Sequence, residues 1–315
     1  MLTTITSALV PVFFVMGLGH FAGRKKIVEN QHVNSLNTLV MTFALPLSLF
    51  IAMAQTPATR LASGAILGLV LTLSMLVLFV ITYFLNRHVF GKSSSETAIQ
   101  SLNVSLPNYA SVGLPLLGAV IGPESATSVS VAIAAGTVIM SPLTLIVLDG
   151  QTVGAKNVSS PRRIALAFLH AVRKPVVVGP VAGVIIALAG HPLPQLAVQT
   201  FNLLGQATAG IALFVTGLVL SSQALNFNAN VFLGVLLKNI VHPLLVVGIA
   251  VLFSMNSHEM HEAILLAAIP SGFFGVLFGL NYGVNSRDAD STLTISSLVS
   301  IVTLAVAILL TNGMK

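Results

Sequence analysis

Two proline-centred stretches hold the residues best suited to chemistry. One is Asn103-Val-Ser-Leu-Pro-Asn-Tyr-Ala-Ser-Val-Gly-Leu-Pro115, the other Ile269-Pro-Ser-Gly-Phe-Phe-Gly275. Both lie inside long apolar runs. Proline has no N–H and clashes with the carbonyl four residues earlier. The backbone groups it frees need protein or a wet cavity as partner, because lipid supplies none. Helix breaks are therefore expected at Pro107, Gly113 and Pro115, and at Pro270. Asn108 and Ser271 follow the two break prolines, and both types are good N-caps. Each is expected to open a second half-helix whose N-terminus points to the membrane midplane. Such an end carries about half a positive charge and free amides. Two of them meeting would bind an anion, most naturally a carboxylate, without lysine or arginine. Asn103, Ser105, Tyr109, Ser111 and Gly272 are candidates for further contacts. This is chemistry of binding. No nucleophile–base or metal-ligand spacing stands out, so no catalytic residue, metal or cofactor is expected.

The elements that must position these residues follow from composition. Of 315 residues, 55% are hydrophobic and 7% charged, against about 25% charged in soluble proteins. Apolar runs near the roughly 20 residues needed to cross a bilayer recur along the chain. The fold class expected is all-α integral membrane with ten spans. They are Ile5–Phe21, Leu36–Ala54, Ala62–Leu85, Glu96–Ile121, Ser125–Leu148, Arg173–Ala189, Leu196–Ser221, Asn230–Phe253, His258–Asn281 and Ala289–Leu310. A polar loop, Asp149–Arg163, and an interfacial stretch, Ile164–Val172, separate spans 5 and 6. No basic region precedes the first apolar run, so span 1 is expected to be retained rather than cleaved. There are no cysteines, so disulfides are excluded.

The loops on one side hold 11 of the 14 Lys and Arg, those on the other only Arg60 and Lys315, and Lys238 falls inside span 8. Positive loops stay cytoplasmic. Both termini are thus expected on the outer side of a cell (inner) membrane. The basic charge needs no nucleic-acid partner to explain it.

Similar residues recur at a spacing of 163–164. Pro11-Val12 matches Pro175-Val176, Pro46 to Phe50 matches Gly210 to Phe214, and Pro107 matches Pro270. Residues 1–155 and 156–315 then form two five-helix repeats. Five is odd, so the second repeat is inverted, a pattern of secondary transporters.

Other polar residues have plainer readings. Lys238 is close enough to the cytoplasmic end to snorkel, with a substrate or helix-terminus contact as the alternative. His258, Glu259, His261 and Glu262 begin span 9, where acids favour a helix N-terminus. All eight acids lie at span ends or in loops, so no carboxylate is expected at mid-membrane to relay protons. This weighs against the alternative of a cation-coupled antiporter of similar architecture.

At these landmarks the sequence resembles the auxin efflux carrier family, in particular its bacterial malonate or dicarboxylate transporter-like members. The resemblance covers nearly the whole chain. It rests on Asn37-Thr-Leu-Val, Ala44-Leu-Pro-Leu-Ser-Leu-Phe50, Pro107 to Pro115, Leu237-Lys-Asn-Ile-Val-His-Pro243 and Ile269-Pro-Ser-Gly. It implies crossed broken helices in spans 4 and 9. Spans 1, 2, 6 and 7 would form a scaffold, with Pro46 and Ser48 on its face. Spans 3–5 and 8–10 would form a moving transport domain that works as an elevator, in a homodimer joined through the scaffolds. Asn108 would hold a substrate carboxylate.

Overall fold

In the computed structural model the described residues are 2–29, 32–59, 64–122, 125–152, 169, 173–190, 193–222 and 225–311. They are helical almost throughout. In chain order the helices are α1 (Leu2–Arg24), α2 (Val33–Ala54), α3 (Ala65–Val89), α4 (Ser94–Ser105), α5 (Leu114–Val120) and α6 (Thr127–Gly150). There follow α7 (Pro175–Leu188), α8 (Gln195–Ser222), α9 (Ala229–Leu252), α10 (Ser257–Ala268), α11 (Phe274–Asn281) and α12 (Arg287–Thr311).

Six of them, α2, α3, α6, α8, α9 and α12, are long and apolar enough to cross a bilayer, and α7 is apolar but shorter. Large apolar side chains cover much of the outside. Leu203 is 83% exposed and Leu252 81%. In water such a surface would aggregate; against lipid it is the expected one. The chain is an integral membrane protein.

Several boundaries differ from the sequence reading. Asp149 falls inside α6 rather than in the loop after it, and is buried. Helix α12 begins at Arg287 and takes in Asp288 and Asp290. In the sixth span the helix starts at Pro175 rather than Arg173, because Lys174 is extended and proline suits the first helical position. Residues 153–168, most of the stretch 164–172, Arg60 and Lys315 lie outside the described residues.

Glycines let helix pairs pack backbone to backbone. A Cβ at Gly19 would fall on the Phe214 carbonyl, and one at Gly217 on the Met16 carbonyl, so α1 and α8 touch without side chains between them. Between α7 and α2, a Cβ at Gly179 would lie 2.5 Å from the Pro46 carbonyl oxygen, and one at Gly183 2.5 Å from that of Phe50. Gly205 backs onto Ser48 in the same way. Small residues at helix interfaces are the usual device where lipid removes any hydrophobic drive for helices to associate.

Candidate binding site at a helix crossover

The site begins with two interrupted helices. Ser93 and Glu96 form a capping box that starts α4. The helix ends at Ser105, and Leu106 turns extended. After Pro107 and Asn108 the chain winds again, first as a π-turn, Tyr109–Gly113, then as α5, with a proline in its first turn. On the other side α10 ends at Ala268, residues 269–273 are non-helical, and α11 begins at Phe274.

The two non-helical segments cross and pair. Pro107 and Ser271 form an isolated antiparallel bridge. The Asn108 N–H donates to the Pro270 carbonyl at 2.9 Å, and the Gly272 N–H donates to the Leu106 carbonyl at 2.9 Å. Proline breaks therefore do more than kink the helices here. Each exposes backbone groups, and the other break satisfies one amide and one carbonyl of each, where a buried unpaired group would cost about 1–3 kcal/mol.

This pairing alters the expected anion site. The amides of Asn108 and Gly272 are spent on the crossing, and that of Ser271 donates to Ser296 Oγ at 3.2 Å. Ser271 is not the cap of the second half-helix; Phe273 holds that position. Among the described residues, the amides of Phe273 and Phe274 have no acceptor, and they head α11. The hydroxyls of Ser105 and Ser271 and the Asn103 Oδ1 are likewise buried and unpartnered among the described residues.

Asn103 donates through Nδ2 to the Ala289 carbonyl at 3.0 Å, and its Oδ1 lies where a Cβ of Gly275 would fall. Tyr109 is buried, its O–H 3.9 Å from Met75 Sδ on α3. Asn108 is 4% exposed. Gly113 faces Val129 of α6. Ser111 sits in the π-turn and Pro115 in α5, and their side chains lie outside the described ones. A cleft of about 220 Å³ runs along α11, lined by Asn34, Ile99, Gly275, Gly279, Asn285 and Asp290 among others; none of the candidate binding residues lines it.

Sequence reasoning missed several residues that hold the site. Asn37 of α2 donates to the Leu277 carbonyl of α11 at 3.1 Å. Gln100 donates to Thr292 at 2.9 Å, tying α4 to α12. Lys238, which the sequence did single out, does not snorkel: it is fully buried and meets a helix terminus, the Ala267 carbonyl near the end of α10.

Among the described residues four acids are buried: Asp149, Glu262, Asp288 and Asp290. Glu262 accepts from Ser128 at 2.6 Å. Asp288 pairs with Lys92 at 2.7 Å and accepts from Asn226, Asn228 and Asn230. Asp149 accepts from the Tyr282 O–H at 2.6 Å and lies 3.9 Å from Lys174. Burial first, then this carboxylate, holds the Tyr282 phenol well above its usual range, so it remains a donor.

Helices broken and crossed inside a lipid-facing bundle, with unspent donors at the crossing, are a pattern found in membrane carriers. The sequence profile of the membrane transport protein family matches residues 4–308, and the chain belongs to that family, the auxin efflux carriers. It is 28% identical to the uncharacterized transporter YfdV of Escherichia coli over 305 residues, 96% of each chain. It is 26% identical to a Rhizobium meliloti protein provisionally named a malonate transporter, over 95% of this chain and 93% of that one. With auxin efflux carrier component 8 of Arabidopsis thaliana the identity is 22%, over 95% of both.

Proposed function

We propose that the protein carries a small organic anion, a malonate-like mono- or dicarboxylate, across the cell (inner) membrane, and that the anion binds at the crossover of the two broken helices. The observation that carries this reading is the pair of reciprocal bonds at Pro107 and Ser271, with α11 starting immediately beyond and its first amides unspent among the described residues. Helix N-termini attract carboxylates, and the serine hydroxyls of the crossing segments add neutral donors. Asn108, Tyr109, Ser105, Asn103, Ser111, Ser271 and Gly272 are the proposed binding residues. The name of the Rhizobium meliloti relative points to the same cargo class.

The architecture proposed is ten spans in two inverted repeats, with both termini outside. Contacts that exchange under a shift of 164 residues support it. Asn108 with Pro270 maps onto Gly272 with Leu106, and Gly19 with Phe214 maps onto Gly183 with Phe50. The glycine seams join α1 to α8 and α2 to α7, the helices proposed as scaffold and as the homodimer contact. The remaining helices are the proposed elevator. The contact of Lys174 on the scaffold side with Asp149 and Tyr282 on the other would have to part as the elevator moves.

Uptake of labelled malonate into proteoliposomes tests the site. Asn108→Ala removes a side chain with neutral hydrogen-bonding groups, each worth about 0.5–1.5 kcal/mol net. A several-fold to tenfold loss of uptake is expected at equal protein incorporation. Equal uptake by variant and wild type would sink the site.

A further inference from the structure

In an unbroken helix the Ala267 carbonyl would accept from the Ser271 N–H, four residues on. Here that bond is open, and each end has a replacement. Lys238 Nζ donates to the Ala267 carbonyl at 2.7 Å. The Ser271 N–H donates to Ser296 Oγ. Pro270, having no N–H, cannot serve the turn either.

Both replacements lead back to one turn of α9. Ser296 Oγ donates to Asn239 Oδ1 at 2.6 Å, and Asn239 Nδ2 donates to the Ser296 carbonyl at 2.9 Å. Asn239 is next to Lys238, and both sit in a π-turn, Leu237–Val241. A π-turn of this kind inside an α-helix is frequent at functional sites. Lys238 is anchored in turn. Its Nζ lies 3.0 Å from His242 Nδ1, and His242 Nε2 lies 3.3 Å from Ser74 Oγ on α3. Ser74 donates onward to the Leu71 carbonyl. With Ser74 so committed, a consistent assignment has the imidazole donating from Nε2 and accepting from Lys238 at Nδ1.

Among the described residues no acid lies within ion-pair distance of Lys238; the ion pairs formed by lysine use Lys92 and Lys174. A lysine at membrane depth is costly and functional by default. Its partner here is a carbonyl in the last turn of α10.

We propose that Lys238 and Asn239 are positioning residues that hold open the two ends of the break between α10 and α11, Lys238 at the carbonyl end and Asn239, through Ser296, at the amide end. The brace fixes where the first turn of α11 points, and so the geometry of the anion site; its effect on transport rests on the cargo reading above.

The test uses the full-length protein in proteoliposomes and nanodiscs, with Lys238→Met, Ser296→Ala and the double variant. Lys238→Met keeps the chain length and removes the donor. Amide hydrogen exchange over residues 266–276 reads the brace without any substrate. Exchange there is expected to rise about tenfold in each single variant, with α1 unchanged, the scale of one lost buried hydrogen bond. The double variant should add less than the sum, since both ends serve one break.

Malonate uptake should show KM raised about tenfold and Vmax changed much less. Unchanged exchange over 266–276, or an equal rise along the whole chain, overturns the brace. A local rise with no malonate uptake even by wild type leaves the brace standing and sinks the cargo reading. Should Lys238→Met fail to accumulate folded, Asn239→Ala reads the same break from the other end, with the same expected and overturning results.

Discussion

Gly272→Ala is expected to cut transport at least about tenfold while leaving most of the bundle folded. The constraint at this position is space. An added Cβ would lie 2.9 Å from the Leu106 carbonyl oxygen and 3.3 Å from that of Pro107. Both are backbone atoms of the crossing segment, so no side chain can swing aside. The segments must shift apart, which strains the Gly272–Leu106 and Asn108–Pro270 bonds. Each buried group left unpaired costs about 1–3 kcal/mol, and a factor of ten corresponds to about 1.4 kcal/mol. Uptake should therefore fall at least about tenfold. Melting temperature measured on the same preparation separates this from simple unfolding. Gly248→Ala on α9 is the control: its Cβ would meet nothing within 4 Å, and alanine favours a helix interior. Wild-type uptake by Gly272→Ala would show that the close crossing does not matter to transport.

The second large effect is expected at Gly217, far from the crossover. There even a single carbon would fall on the Met16 carbonyl and lie 2.8 Å from the His20 amide nitrogen. Gly217→Leu must push α8 off α1. Overpacking costs about 1–3 kcal/mol, and at roughly 2–4 °C per kcal/mol for chains of 150–250 residues the melting midpoint should drop by several degrees. A fall in the amount of folded protein recovered from membranes is expected with it. Gly210→Ala, on the same helix with open space around it, should melt like wild type. If Gly217→Leu also melted like wild type, α1 and α8 would not pack as described.

These two glycines illustrate what could be read early and what could not. Gly272 was already a candidate, because it follows a proline and a serine inside an apolar run. Gly217 was not. Nothing in its neighbourhood along the chain distinguishes it from Gly210, seven residues earlier; the difference is which backbone α1 brings against it. Lys238 shows the same divide. Its depth in an apolar run marked it as unusual, but its carbonyl partner lies 29 residues away. Snorkelling and burial predict the same sequence and differ only in three dimensions.

The crossover was partly legible for a physical reason that needs no partner. Proline lacks a donor wherever it stands, so Pro107 and Pro270 break their helices on local grounds alone. Hydropathy is equally local, and it determined that the chain lives in a bilayer. Where the freed groups go is a matter of what lies across the gap. Only the tertiary structure could decide that the amides of Asn108 and Gly272 bind the opposing segment, leaving α11 and the serine hydroxyls as the donors. Hydrogen bonds between distant segments depend on their approach to within about 3 Å, and no spacing within one segment encodes that.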